Sequence, residues 1–94
     1  MAKVILSGYI IVPDKDLDAV LHALPEHIRL TQAECGNITF RVQQSADTPQ
    51  RFDVYEEFID KPSFEFHQRR VKNSFWGKVT ADVSRHYDIV IKAE

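Results

Sequence analysis

His67 lies in the stretch FEFHQRRV, where Phe64, His67 and Val71 recur at i, i+3 and i+7, so a helix would turn the imidazole to the same side as its apolar neighbours. An imidazole titrates near neutrality. In a pocket it is suited to take a phenol proton as general base or to donate a hydrogen bond to a developing oxyanion. The same placement fits a core histidine satisfied by a carboxylate such as Glu56, and spacing leaves both readings open. Glu56 and Glu57 are neighbours on a strand, point to opposite faces and are excluded as a catalytic carboxylate pair. If Glu56 shares the interior with His67, it would fix the imidazole tautomer. Tyr55 offers a hydroxyl to orient a substrate oxygen, although strand tyrosines also serve packing with the tip in water. Phe64, Phe66, Phe75 and Trp76 form an aromatic cluster that suits a planar ligand, or a core. Asn73 and Ser74 could add polar contacts at its mouth, and both residue types also suit a helix end.

Other chemistries lack their residues. His22 and His27 are five apart, off the i, i+4 spacing of paired helical ligands, and His86 begins a strand, so no metal site is expected. Cys35 is the only cysteine; it permits no internal disulfide and no CxxC motif, and the default compartment is the cytoplasm. No glycine-rich phosphate loop, nucleophile elbow or dinucleotide fingerprint occurs, and no bound cofactor is expected. Twelve Lys and Arg against fourteen Asp and Glu leave a net charge of -2, which disfavours nucleic acid and anionic membrane as partners. The basic residues Arg69, Arg70 and Lys72 read as a solvated helix face.

These groups must be positioned by one domain spanning residues 1–94. Residues 3–12 carry apolar side chains on both parities, Val4, Leu6, Ile10 and Val12 against Ile5, Tyr9 and Ile11, so this strand is expected to be covered on both faces. Leu17, Val20, Leu21 and Leu24 follow helical spacing, Asp14 or Asp16 is placed to cap, and Ile28 and Thr31 continue the phase beyond Pro25, which should kink or break the helix. Gly36 marks a plausible helix end. Residues 37–45 alternate, with Ile38, Phe40 and Val42 on one face; residues 52–59 alternate again, and the two runs form an antiparallel hairpin. Asp60-Lys61-Pro62 opens a second helix. Residues 79–83 suggest a short helical turn, and residues 85–92 a last strand with Tyr87, Ile89 and Ile91 opposed to Val90. The order β-α-β-β-α-β predicts an α+β, ferredoxin-like fold: a four-stranded antiparallel sheet with helices on one face. The open face then needs cover. A homodimer closed sheet against sheet is expected, which would also help a chain short enough to bury only roughly 60–65% of its unfolded surface.

Glu34-Cys35-Gly36 before a strand, Phe52-x-Val54-Tyr55-Glu56-x-Phe58-x-Asp60, and a helix with Phe64-x-x-His67 together resemble the antibiotic biosynthesis monooxygenase family of dimeric α+β barrels. The resemblance implies a cofactor-independent monooxygenase, an oxidoreductase that oxidises a small aromatic or quinol-type substrate with O₂. It points to His67 as the catalytic group and to Tyr55, Glu56, Phe64, Asn73, Phe75 and Trp76 as substrate-binding residues. This chain lacks the second histidine that many members carry soon after the first, where it reads Val71-Lys72-Asn73-Ser74-Phe75-Trp76. It also has Ser7-Gly8 where haem-degrading members place an asparagine. Two other functions fit the same fold: a non-catalytic small-molecule binding or stress-response dimer, and a cofactor-free isomerase of a small carbonyl compound.

Overall fold

The computed structural model describes residues 2–93. Four strands, β1 (Lys3–Ile11), β2 (Asn37–Gln44), β3 (Arg51–Phe58) and β4 (Ser84–Lys92), and three helices, α1 (Leu17–Gln32), α2 (Lys61–Lys72) and α3 (Phe75–Val79), follow one another as β1-α1-β2-β3-α2-α3-β4. The sheet is antiparallel throughout, in the order β2-β3-β1-β4. This is the ferredoxin-like α+β arrangement. No helix among the described residues is long and apolar enough to cross a membrane.

Alternation decides which side chains meet the helices. In the central pair, Leu6 stands opposite Glu56 on β3 and opposite Ile89 on β4. The even-numbered residues Val4, Leu6 and Ile10 of β1 and Phe52, Val54, Glu56 and Phe58 of β3 are therefore buried together beneath the helices. Phe40 of β2 joins them. Ile38, which alternation places beside Phe40, is exposed instead, because the β2–β3 register shifts between Asn37 and Thr39.

α1 runs as one helix through Pro25, without the break that was one of the two expectations there, and forfeits one backbone bond at the proline. Its buried stripe is Val20, Ala23, His27 and Thr31, while Leu21 is exposed. Neither Asp14 nor Asp16 caps the helix through its side chain; Asp14–Asp16 form a 3-10 turn before it. Asp60 does cap α2, accepting from the Ser63 backbone N–H at 2.8 Å. The short third helix begins earlier than the expected 79–83 turn, because Ser74 accepts from the Gly77 N–H and so nucleates a new helix at Phe75.

Two glycines are required by their surroundings. Gly8 has φ +147°, and a Cβ there would lie 2.0 Å from the His86 carbonyl oxygen of the neighbouring strand. Gly36, beyond the end of α1, lets the chain pass Ser63, whose Oγ would sit 2.1 Å from an added Cβ. That close passage seats the 33–36 turn against the start of α2.

Candidate active site

His67 is the only buried residue of α2. Its ring lies 5.0 Å from that of Phe58 and 6.0 Å from that of Phe40. In this apolar setting its Nδ1 stands 3.1 Å from both carboxyl oxygens of Glu34, which follows α1 in the turn before β2. Glu34 also accepts from Arg70 Nε at 2.5 Å, and a second guanidinium nitrogen of Arg70 donates to Thr31 Oγ1 at 3.0 Å. The result is a chain of contacts, Thr31–Arg70–Glu34–His67, that fixes the imidazole plane. Burial pushes the His67 pKa below its ordinary value, partly offset by Glu34, so the ring is neutral at pH 7. With Nδ1–H donated to Glu34, Nε2 carries the lone pair.

Nε2 faces Glu56, whose Oε1 is 3.7 Å away and has no hydrogen-bond partner. Burial first, and then the charge of Glu34, raise the Glu56 pKa to about 8, so this carboxyl is predominantly protonated at neutrality. Both groups border a cavity of about 180 Å³ walled by Leu6, Val54, Trp76 and Tyr87. Tyr87 is held in its neutral form, its pKa pushed up to about 12 by burial and by Glu56. The far wall is a stacked pair, His27 on Trp76, with centroids 4.4 Å apart and planes 2° from parallel. Burial, with smaller contributions from His67 and Arg70, drops the His27 pKa to about 3, so this ring is neutral as well. Its Nδ1 is buried without a partner.

The structure brings His67, Glu56 and Trp76 to one cavity and sends the other expected site residues elsewhere. Because Glu56 faces inward, Tyr55 projects from the opposite face of the sheet, where its hydroxyl donates to Glu57 at 2.6 Å and Arg41 lies over its ring. It cannot orient a ligand beside His67. Phe64 packs edge-to-face on Phe58, 5.6 Å between centroids, and is not part of the cavity wall. Asn73 caps the end of α2 and donates to the Arg69 carbonyl. Phe75 is 66% exposed and borders an outer groove with His22 and Leu30.

Glu34 and His27 complete the site without having been expected there. Glu34, not Glu56, makes the short contact that orients His67; the two meet across 33 residues, a separation that no local pattern encodes. His27 did carry a signal, since it falls on the Val20, Ala23, Thr31 stripe. Arg70, expected on a solvated face, is turned inward by Glu34. Among the described residues, no group of three or more His, Cys, Asp or Glu is disposed to hold a metal ion.

The same frame recurs in known proteins. The sequence model described as "Antibiotic biosynthesis monooxygenase" matches residues 4–72, which include all but the first residue of β1, the turn with Glu34, and both Glu56 and His67. The chain belongs to this family. Among solved structures, a protein from Nitrosomonas europaea described as an antibiotic biosynthesis monooxygenase is 26% identical, with a TM-score of 0.75 over 99% of this chain and 89% of that one. A second structure, described as an antibiotic biosynthesis monooxygenase, is 18% identical with a TM-score of 0.71, covering 100% of this chain and 98% of its own. A conserved protein from Methanosarcina mazei Go1, also 18% identical, superposes with a TM-score of 0.69 over 97% and 90% of the two chains. The latter two likenesses concern the fold alone. No curated protein sequence matches the chain.

Proposed function

We propose that this antibiotic biosynthesis monooxygenase family member is a cytoplasmic homodimeric enzyme that oxidises a small electron-rich aromatic or quinol-type compound with O₂ and no bound cofactor. The observation that carries the reading is the neutral, buried His67, with one nitrogen held by Glu34 and the other beside Glu56 at a cavity that Leu6, Val54 and Trp76 also line. Such an imidazole removes a phenolic proton, and Glu34 stabilises the imidazolium that results. The neutral Glu56 carboxyl then donates to the phenolate oxygen. Leu6, Val54 and Trp76 give the electron-rich anion an apolar surface to lie against while it reacts with O₂. In the overall conversion a ring C–H becomes C=O: one oxygen atom enters the ring, the other leaves as water, and the substrate supplies all four electrons.

Oxygen uptake on offering a panel of phenols, quinols and anthrones tests this directly. His67→Ala should lower turnover by roughly 10²–10⁴-fold, the usual contribution of a positioned base. Uptake at the parental rate in that variant would remove the assigned base, and no uptake with any member of the panel would favour ligand binding without turnover.

The dimer reading rests on the open sheet face, where Ile5, Tyr9, Ile11 and Val90 stand among polar groups, and on the exposed edge residues Ile89 and Ile91. Sedimentation at micromolar protein should give twice the chain mass, and Val90→Asp should shift it to the monomer.

A further inference from the structure

Glu56 Oε1 and His67 Nε2 are the two polar atoms that face each other across the cavity wall. At 3.7 Å they are too far apart to bond to each other, yet a single oxygen atom placed between them is within hydrogen-bond reach of both. Oε1 is buried and has no partner in the protein, an arrangement that a folded chain retains at a cost unless a ligand satisfies it. The wall beside them is largely apolar, with Leu6, Ile10, Val42, Val54 and Trp76, while His27, Gln68, Thr80, Arg85 and Tyr87 add polar groups elsewhere on the lining. Its volume of about 180 Å³ is also informative. An apolar cavity of about 150 Å³ is enough for one benzene ring. On one side the cavity is bounded by the stacked His27–Trp76 pair, which is flanked by Phe40, His67 and the α1–α3 packing.

We propose that the ligand of this cavity is a single-ring phenol whose hydroxyl oxygen bridges His67 and Glu56, donating its proton to Nε2 and accepting from the Glu56 carboxyl. The proposal rests on the function given above and narrows its substrate class from aromatics and quinols in general to one-ring compounds. The raised pKa of Glu56 agrees with it, because only the protonated carboxyl has a hydrogen to give. Glu56 is then a second residue in contact with the reacting oxygen.

Isothermal titration calorimetry with phenol, catechol, naphthol, anthrone and toluene provides the test, since binding is read without turnover. Phenol and catechol should bind saturably at one per chain, and naphthol and anthrone more weakly by roughly tenfold or more. Glu56→Gln, which retains a donor, should keep phenol affinity within roughly threefold, and Glu56→Leu should weaken it roughly tenfold while leaving toluene unaffected. Leucine beside Leu6 and Val54 removes a buried carboxyl, so the variant is expected to fold, as circular dichroism would verify. Anthrone or naphthol binding more tightly than phenol would overturn the one-ring class. Phenol binding unchanged in Glu56→Leu would overturn the bridge, as would a parallel loss of toluene. Phenol binding without oxygen uptake would support the ligand class and overturn the oxygenase reading; uptake with anthrones alone would do the reverse.

Discussion

Glu56 makes the stability of this protein depend on pH in a direction opposite to that of most carboxylates. Its pKa rises from 4.5 in a solvated chain to about 8 in the fold. The folded chain holds the proton more tightly than the unfolded one. Its contribution to stability is therefore fully present below about pH 4.5 and is lost as pH rises through 8. Each pH unit between those limits is worth about 1.4 kcal/mol. The loss amounts to about 3 kcal/mol at pH 7 and about 5 kcal/mol above pH 8. Local relaxation and water reaching the carboxylate reduce such penalties, so about 2 to 5 kcal/mol is the expected span. Glu56→Gln keeps the shape and removes the titration. Urea unfolding of the parent and of this variant at pH 4.5 and pH 8.5, at one fixed protein concentration, isolates the effect, because every other group cancels in the difference. The variant should be close to the parent at pH 4.5 and more stable by the stated span at pH 8.5. A difference between the two proteins that does not change with pH would refute the burial argument, and with it the neutral Glu56 on which the phenolate donor depends.

Two further substitutions test how the site is built. Arg70→Met should leave Glu34 buried against a neutral histidine, costing about 3 kcal/mol in urea unfolding and raising the His67 pKa as measured by imidazole proton NMR, since a positive charge beside the ring is lost. Gly36→Ala should cost about 2 kcal/mol or more by forcing the 33–36 turn away from Ser63, and Ser63→Gly in the same chain should restore most of that; failure of the second change to rescue would show that the close passage is not what requires glycine.

The fold was legible because alternation is a local property. Val4, Leu6 and Ile10 against Ile5 and Tyr9, and Phe52, Val54, Glu56 and Phe58 against Asp53 and Tyr55, assign each strand its inner face, and four strands with two crossovers leave few topologies. What periodicity missed was set by single interactions outside its reach. Ile38 is exposed through one register shift, and Ser74 starts a helix through one hydrogen bond. Tyr55 was expected at the site although its neighbour Glu56 was read as the interior partner of His67. Adjacent strand residues cannot both face one cavity, so the buried Glu56 excludes Tyr55.

The site itself was legible only in part, and the missing part is electrostatic. A histidine on an apolar helix face has no defined tautomer until a partner is known. Here that partner, Glu34, arrives from a turn brought close by Gly36 passing Ser63 and is anchored by Arg70 from the next turn of His67's own helix. Glu56 could be read as inward from the β3 pattern, but its neutrality is set first by burial and then by Glu34 on the other side of the imidazole, and of the two carboxyls flanking that ring only Glu34 has a cation beside it. The assignment of base and donor follows from that asymmetry. If Arg70 stood beside Glu56 instead, the same three residues would present a carboxylate to the cavity, and a phenolate would be repelled rather than held.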